Sequence, residues 1–332
     1  MIGKVIGVAG LAVVGALWAA PAHADAAGTT DAQCTGSSCS VSVTYTGSAA
    51  PRGGGTGSYV SSVPPLCYYS SPRSPKEMHE WLQSQYNTGY YSGQSGLSLF
   101  GALKEYENAA KDKSLRDAKW HTLNCPSIDM QDPRAISFAG ETAMTMGSDE
   151  PFARFARLFR PGNPVPPPLV DPETLRDAAY ESMDIPEPTI NRNPEIAGSA
   201  ATLVNLDTFF WADAYRDTWD ITASVGPISA TVMAKSGGWS LTSPAGGQTC
   251  TQDQFTTPYS RGLGAGAGCA ISFERASVGY EGGFPVRATA TWDTSWTGTP
   301  APTAPQALAP VTTGATVNVP VAESQAVVRS IG

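Results

Sequence analysis

Val286-Arg287-Ala288-Thr289-Ala290-Thr291-Trp292-Asp293-Thr294-Ser295-Trp296 alternates small or apolar residues with polar ones. A period of two over that length predicts a half-buried β-strand. The same period marks Ile221–Val225, Ile228–Met233, Thr316–Val319 and Gln325–Val328, with Gly, Pro and Ser between the runs. Short strands at regular spacing from about Leu203 onward predict an antiparallel sandwich for the C-terminal part of the chain. Thr297–Ala309, rich in Pro, Ala and Thr, reads as a loop interrupting its last hairpin.

Composition agrees with that architecture. The chain has 332 residues, enough for two modules, with 34 Gly and 27 Pro, more than long helices tolerate. Charged residues are 15% against a usual ~25%, and hydrophobic residues are 41%, which is globular rather than disordered. The 21 basic and 29 acidic residues leave a net charge of −8, so a nucleic-acid duplex would repel the chain.

Residues 1–24 read as a secretory signal: Lys4, the apolar run Val5–Ala20, then Ala22-His23-Ala24 at the cleavage position. The mature chain is expected to begin at Asp25, without a stable membrane span, because the run is shorter than the ~20 residues a spanning helix needs. All six cysteines follow that point, and in an oxidising compartment they are read as disulfides. Six cysteines allow 15 pairings. Proximity and domain membership favour Cys250 with Cys269, Cys34 with Cys39 and Cys67 with Cys125. The tightest spacing, Cys34-x4-Cys39, has no second pair to complete a zinc site, so neither metal nor cofactor is expected.

Residues 25–160 read as a disulfide-tied α+β region. Val41, Val43 and Tyr45 alternate as a strand, and Gly53–Gly57 is a loop without the Gly-Lys-Ser/Thr ending of a phosphate cradle. Ser74-Pro75-Lys76-Glu77 opens one helix, with Met78, Trp81 and Leu82 at helical spacing, and a second runs from about Leu99 to Leu115, separated by the Gly89–Gly93 break. Trp120–Cys125 and Ala135–Phe138 read as short strands. Phe152–Arg160, with aromatics at 152, 155 and 159 and arginines at 154, 157 and 160, reads as an amphipathic helix covering its own domain. Residues 161–200 form a proline-rich connector, a semi-rigid spacer broken by a short helix from Pro172 to Met183. The sandwich then occupies 201–332.

Pro167-Pro168-Leu169-Val170-Asp171-Pro172, Ile185–Ile190 with Asn193-Pro194, Leu203–Trp211, Trp239 followed by Cys250 and Cys269, and Val321–Val327 together resemble actinobacterial secreted proteins with a C-terminal PKD-like, immunoglobulin-type domain. The resemblance spans residues 165–332 and is diffuse. Ser243-Pro244-Ala245-Gly246-Gly247 stands where PKD domains carry a Gly-Asp-Gly turn. It implies an extracellular structural or interaction module with no established reaction.

Catalytic constellations are sparse. A serine hydrolase needs a base beside its nucleophile, yet after signal removal only His79 and His121 remain, and no G-x-S-x-G elbow is present. His79 reads as a surface residue and His121 as a strand residue. A glycosidase needs two carboxylates and no histidine. Asp213, Asp217 and Asp220, interleaved with Trp211, Tyr215 and Trp219, are therefore the candidates for a glycan-acting hydrolase. Trp239 and Trp292 are expected in the core beside the Cys250–Cys269 bridge. Trp211, Trp219 and Trp296 are the candidate binding surface of an interaction or carbohydrate-binding module. The sequence thus points to a secreted, non-enzymatic protein acting on an extracellular or cell-envelope protein or polysaccharide.

Overall fold

The structure is a computed structural model describing residues 34–35, 38–46, 57–87, 96–129, 131–143, 156–162, 165–213, 215–264 and 266–324. The signal at 1–24, most of the Gly53–Gly57 loop, the Gly89–Gly93 break, Phe152–Phe155 and the strand expected at Gln325–Val328 lie outside these residues.

In chain order the elements are β1 (Cys34–Thr35), β2 (Ser38–Thr46), β3 (Gly57–Val63), β4 (Tyr68–Arg73), α1 (Pro75–Asn87), α2 (Gly96–Lys111), β5 (Lys119–Asn124), α3 (Pro133–Ala143), β6 (Ala156–Phe159), α4 (Pro172–Glu181), β7 (Asn191–Asn193) and β8 (Thr202–Leu203). There follow β9 (Asp207–Trp211), β10 (Thr218–Val225), β11 (Ile228–Ser243), β12 (Gly246–Cys250), α5 (Gln252–Thr256), β13 (Cys269–Ser272), β14 (Phe284–Thr299), β15 (Gln306–Ala307), β16 (Val311–Val319) and β17 (Val321–Ala322). The described chain is mostly β, in several largely antiparallel sheets with few helices.

The largest sheet runs β2, β10, β11, β14 and β16, with β3 beside β2 and β12 beside β11. Its centre is the antiparallel pair of two long strands, β11 and β14, whose register slips between Ser236 and Trp239. Gly237 and Gly238 form that bulge, which is where a strand gains an unpaired residue and bends. At Gly238, φ is +105° and a Cβ would lie 2.9 Å from the Cys250 carbonyl oxygen, so glycine is required there. A smaller sheet orders β13, β9 and β7. Phe210 and Ile271 from the smaller sheet share one buried cluster with Trp239, Leu241, Ala288, Ala290 and Trp292 from the larger. The Cys250–Cys269 disulfide joins β12 to β13 beside that cluster.

The N-terminal hairpin joins the same large sheet. β2 pairs with β10 from Thr46 opposite Asp220 to Ser42 opposite Ser224. The proline-bearing stretch is likewise docked rather than held away as a spacer. Leu169 exchanges backbone hydrogen bonds with Cys67, the Pro167 ring packs where a Cβ on Gly226 would fall, and Val170, Leu175 and Ala179 are buried with Ile221, Ala223 and Val232. Val170, Leu175 and Ala179 thereby cover sheet surface, and full burial of a valine or leucine side chain is favourable by ~1.5–3 kcal/mol.

A separate three-stranded sheet, β4-β5-β6, carries α1 and α2. The Ser74 hydroxyl accepts from the Glu77 N–H at 3.2 Å while Glu77 Oε2 accepts from the Ser74 N–H at 2.7 Å, a reciprocal cap that starts α1. Two sequence expectations are corrected here. Ala135–Phe138 belongs to helix α3, because Asp132 Oδ1 accepts from the Arg134 N–H at 2.8 Å and Pro133 occupies the first helical position. Ala156–Phe159 is strand β6, not the end of an amphipathic helix. Its backbone pairs with Lys119–Thr122, and Ala156, Leu158 and Phe159 are buried while Arg157 lies over the Phe159 ring.

The three disulfides join Cys34 to Cys39, Cys67 to Cys125 and Cys250 to Cys269. No helix among the described residues is long and apolar enough to cross a membrane.

Candidate functional site

The three candidate tryptophans separate by burial. Trp219 is 2% exposed and Trp296 5%, so neither presents a face to a ligand, which corrects the expectation placed on them. Both fall on the inward side of their strands, β10 and β14, and each is covered by a guanidinium. Arg216 lies 5.4 Å from the Trp219 ring and Arg176 lies 5.1 Å from the Trp296 ring. The signal was present in the sequence: Trp219 shares strand parity with Ile221, Ala223 and Val225, and Trp296 with Trp292.

Trp211 is different. It ends β9, opposite Asn191 of β7, and is half-buried. Its indole N–H donates to Asp213 Oδ1 at 2.9 Å, and the Asn191 amide donates to Asp213 Oδ2 at 3.0 Å. Each carboxylate oxygen thereby accepts one hydrogen bond and keeps a further lone pair, and the carboxylate links the indole to Asn191 of β7. A rigid aromatic surface beside a polar amide and a carboxylate can stack on a flat apolar face and hydrogen-bond its rim.

Phe210, the neighbour of Trp211 on β9, belongs to a buried aromatic core. Tyr215 packs 5.4 Å from Trp239 and 6.1 Å from Trp292, and Trp239 stacks on Phe255. The Trp239 indole donates to Gln252 Oε1 at 2.8 Å and that of Trp292 to Thr313 Oγ1 at 3.0 Å, so both indoles are buried with their N–H groups satisfied. The Tyr215 hydroxyl donates to the Pro186 carbonyl. Burial pushes its pKa up to about 12, against a smaller opposing effect of Thr313.

The remaining acids occupy different settings. Asp217 precedes β10, accepts from the Thr218 hydroxyl at 3.3 Å, and offers its carbonyl to the Ser236 N–H. Asp220 lies within β10 on the face opposite Trp219. His79 is on α1 and His121 on β5, the latter packed edge-on against Phe159. Burial lowers the His121 pKa, and its buried Nδ1 has no hydrogen-bond partner among the described residues. Lys76, Lys111 and Arg116 line a cleft between α1 and α2, but each pairs with an exposed carboxylate, Glu80, Glu107 and Asp117 respectively. Among the described residues no cluster of three His, Cys, Asp or Glu side chains is arranged to hold a metal ion.

No family model matches this chain, and no curated protein or solved structure is significantly similar to it.

Proposed function

We propose that the protein is a secreted, non-enzymatic interaction protein of the cell envelope or extracellular space, whose C-terminal half is a PKD-like immunoglobulin-type sandwich. Its binding surface is the Trp211 indole, oriented by Asp213 and Asn191. Three cystines, the core shared between two sheets, and the resemblance over residues 165–332 support this reading. The observation that carries it is the double hydrogen bond at Asp213, which holds the most accessible of the three candidate tryptophans in one orientation. Aromatic side chains with few rotatable bonds bind at low entropic cost, and fixing the ring lowers that cost further.

A polysaccharide partner is favoured over a protein one by the small polar rim around a single aromatic plane. The test is saturable binding of the mature chain to insoluble cell-envelope polysaccharide. Trp211→Ala weakens binding by about tenfold or more while leaving the unfolding midpoint nearly unchanged, as expected of an anchoring contact. Wild-type affinity in that variant would remove Trp211 from the proposal. Release of soluble sugar by the wild type, lost in Asp213→Asn or Asp217→Asn, would replace it with a glycan-acting hydrolase.

A further inference from the structure

We infer that the outer edge of β16 is a self-complementary surface through which two copies of this chain join their large sheets. β16 has the sequence Val311-Thr312-Thr313-Gly314-Ala315-Thr316-Val317-Asn318-Val319 and pairs, among the described residues, with β14 alone. It carries no charge, no proline and no bulge, the devices by which sheet edges are usually blunted.

The register fixes which backbone groups point away from β14. Thr294 accepts from the Leu308 N–H at 2.9 Å, so even-numbered residues of β14 turn their backbone toward β15 and β16. Their partners on β16 are Val311, Thr313, Ala315, Val317 and Val319. The alternate residues, Thr312, Gly314, Thr316 and Asn318, therefore direct their N–H and C=O groups outward. Two further observations agree: Pro285, which lacks an N–H, lies opposite Asn318, and the Asn318 carbonyl accepts from Arg192 Nη1 at 3.0 Å.

Arg192 closes the edge at Asn318, and Pro310, with no N–H to offer, closes it before Val311. The open window is Thr312–Thr316, and its midpoint is Gly314. An antiparallel copy centred on Gly314 sets Thr312 opposite Thr316 twice and brings the two closed ends into coincidence, Pro310 against Asn318. A window symmetric about its own centre is what an isologous two-fold contact requires. Thr312 and Thr316 are exposed, and Thr–Thr pairs across strands are favourable, so the exposed face adds to the backbone bonds. A second copy is also chosen over a foreign strand because the uncharged edge meets its own image without opposing like charges, whereas it offers a charged partner no complementary group.

The test is sedimentation equilibrium of the mature chain across a wide concentration range. The wild type passes from monomer to dimer as concentration rises. T312K/T316K sets like charges directly opposite each other twice and raises the dimer Kd roughly tenfold or more, whereas T312K/T316E sets opposite charges there and restores association. Both pairs of substitutions are on exposed positions, and circular dichroism checks that the fold is kept. A wild type that stays monomeric throughout, or a dimer that T312K/T316K leaves unchanged, overturns the inference.

Discussion

The indole of Trp239 stacks on the ring of Phe255, with centroids 4.1 Å apart and planes 19° from parallel. This contact ties the short helix α5 to β11 at Trp239, whose strand partner on β12 is Cys250 of the Cys250–Cys269 bridge.

Truncating one partner should therefore leave a cavity that a disulfide-fixed neighbourhood cannot close. Phe255→Ala is expected to cost ~3–5 kcal/mol, the range for deleting a fully buried aromatic. Denaturant unfolding measures it, and a loss under about 1 kcal/mol would mean that α5 is peripheral to the core.

The disulfides should rank by the loop each one closes. Sequence separations are 58 for Cys67–Cys125, 19 for Cys250–Cys269 and 5 for Cys34–Cys39. Chain-entropy reasoning gives contributions of ~4, ~3 and ~2 kcal/mol in that order. Unfolding midpoints of the three paired Cys→Ala variants test the ranking, and an inverted order would show that strain or residual structure, not loop closure, dominates.

Tyr215 should make the fold sensitive to alkali. Its folded pKa, raised to about 12 by burial, exceeds the unfolded value near ~10. The contribution is complete below pH ~10 and is lost as pH rises toward ~12, because only the unfolded state releases the phenolic proton in that window. Tyr215→Phe should flatten stability over this interval, and an unchanged slope in that variant would assign the effect elsewhere.

His121 should act in the opposite direction. Burial lowers its folded pKa, so the folded state keeps the ring neutral where the unfolded state protonates it near ~6.5. The contribution is complete above that value and is lost as pH falls through and below it. Stability measured from pH 8 to 5 should decline in the wild type and decline less in His121→Gln; equal declines would reject the assignment.

Local periodicity carried most of the C-terminal reading. Ile221–Val225, Ile228–Met233, Val286–Trp296 and Thr316–Val319 lie in β10, β11, β14 and β16, since alternation reports which side of a strand is wet. Pairing partners far apart in sequence were not legible. Nothing in Val41, Val43 and Tyr45 says that β2 will bond to β10, almost 180 residues onward, because the alternation marks a buried face and not its neighbour. Short apolar runs were ambiguous in type: Ala135–Phe138 became helical through the Asp132-Pro133 cap, and Ala156–Phe159 became a strand through the free edge of β5. At the candidate site the sequence marks Trp211 as an aromatic of a binding surface but not the two residues that anchor it. Asp213 reads from sequence only as a carboxylate, and Asn191 lies in a stretch whose proline content reads as a linker.

The meeting of β2 with β10 has a practical bearing on how the molecule can be divided. A fragment cut at the boundary suggested by composition, beginning near residue 201, would strip β10 of its neighbour and bare five residues of backbone pairing, Ser42–Thr46 opposite Asp220–Ser224. Such a truncation should be sticky, and the early residues are better regarded as a lid on the ladder than as a detachable head.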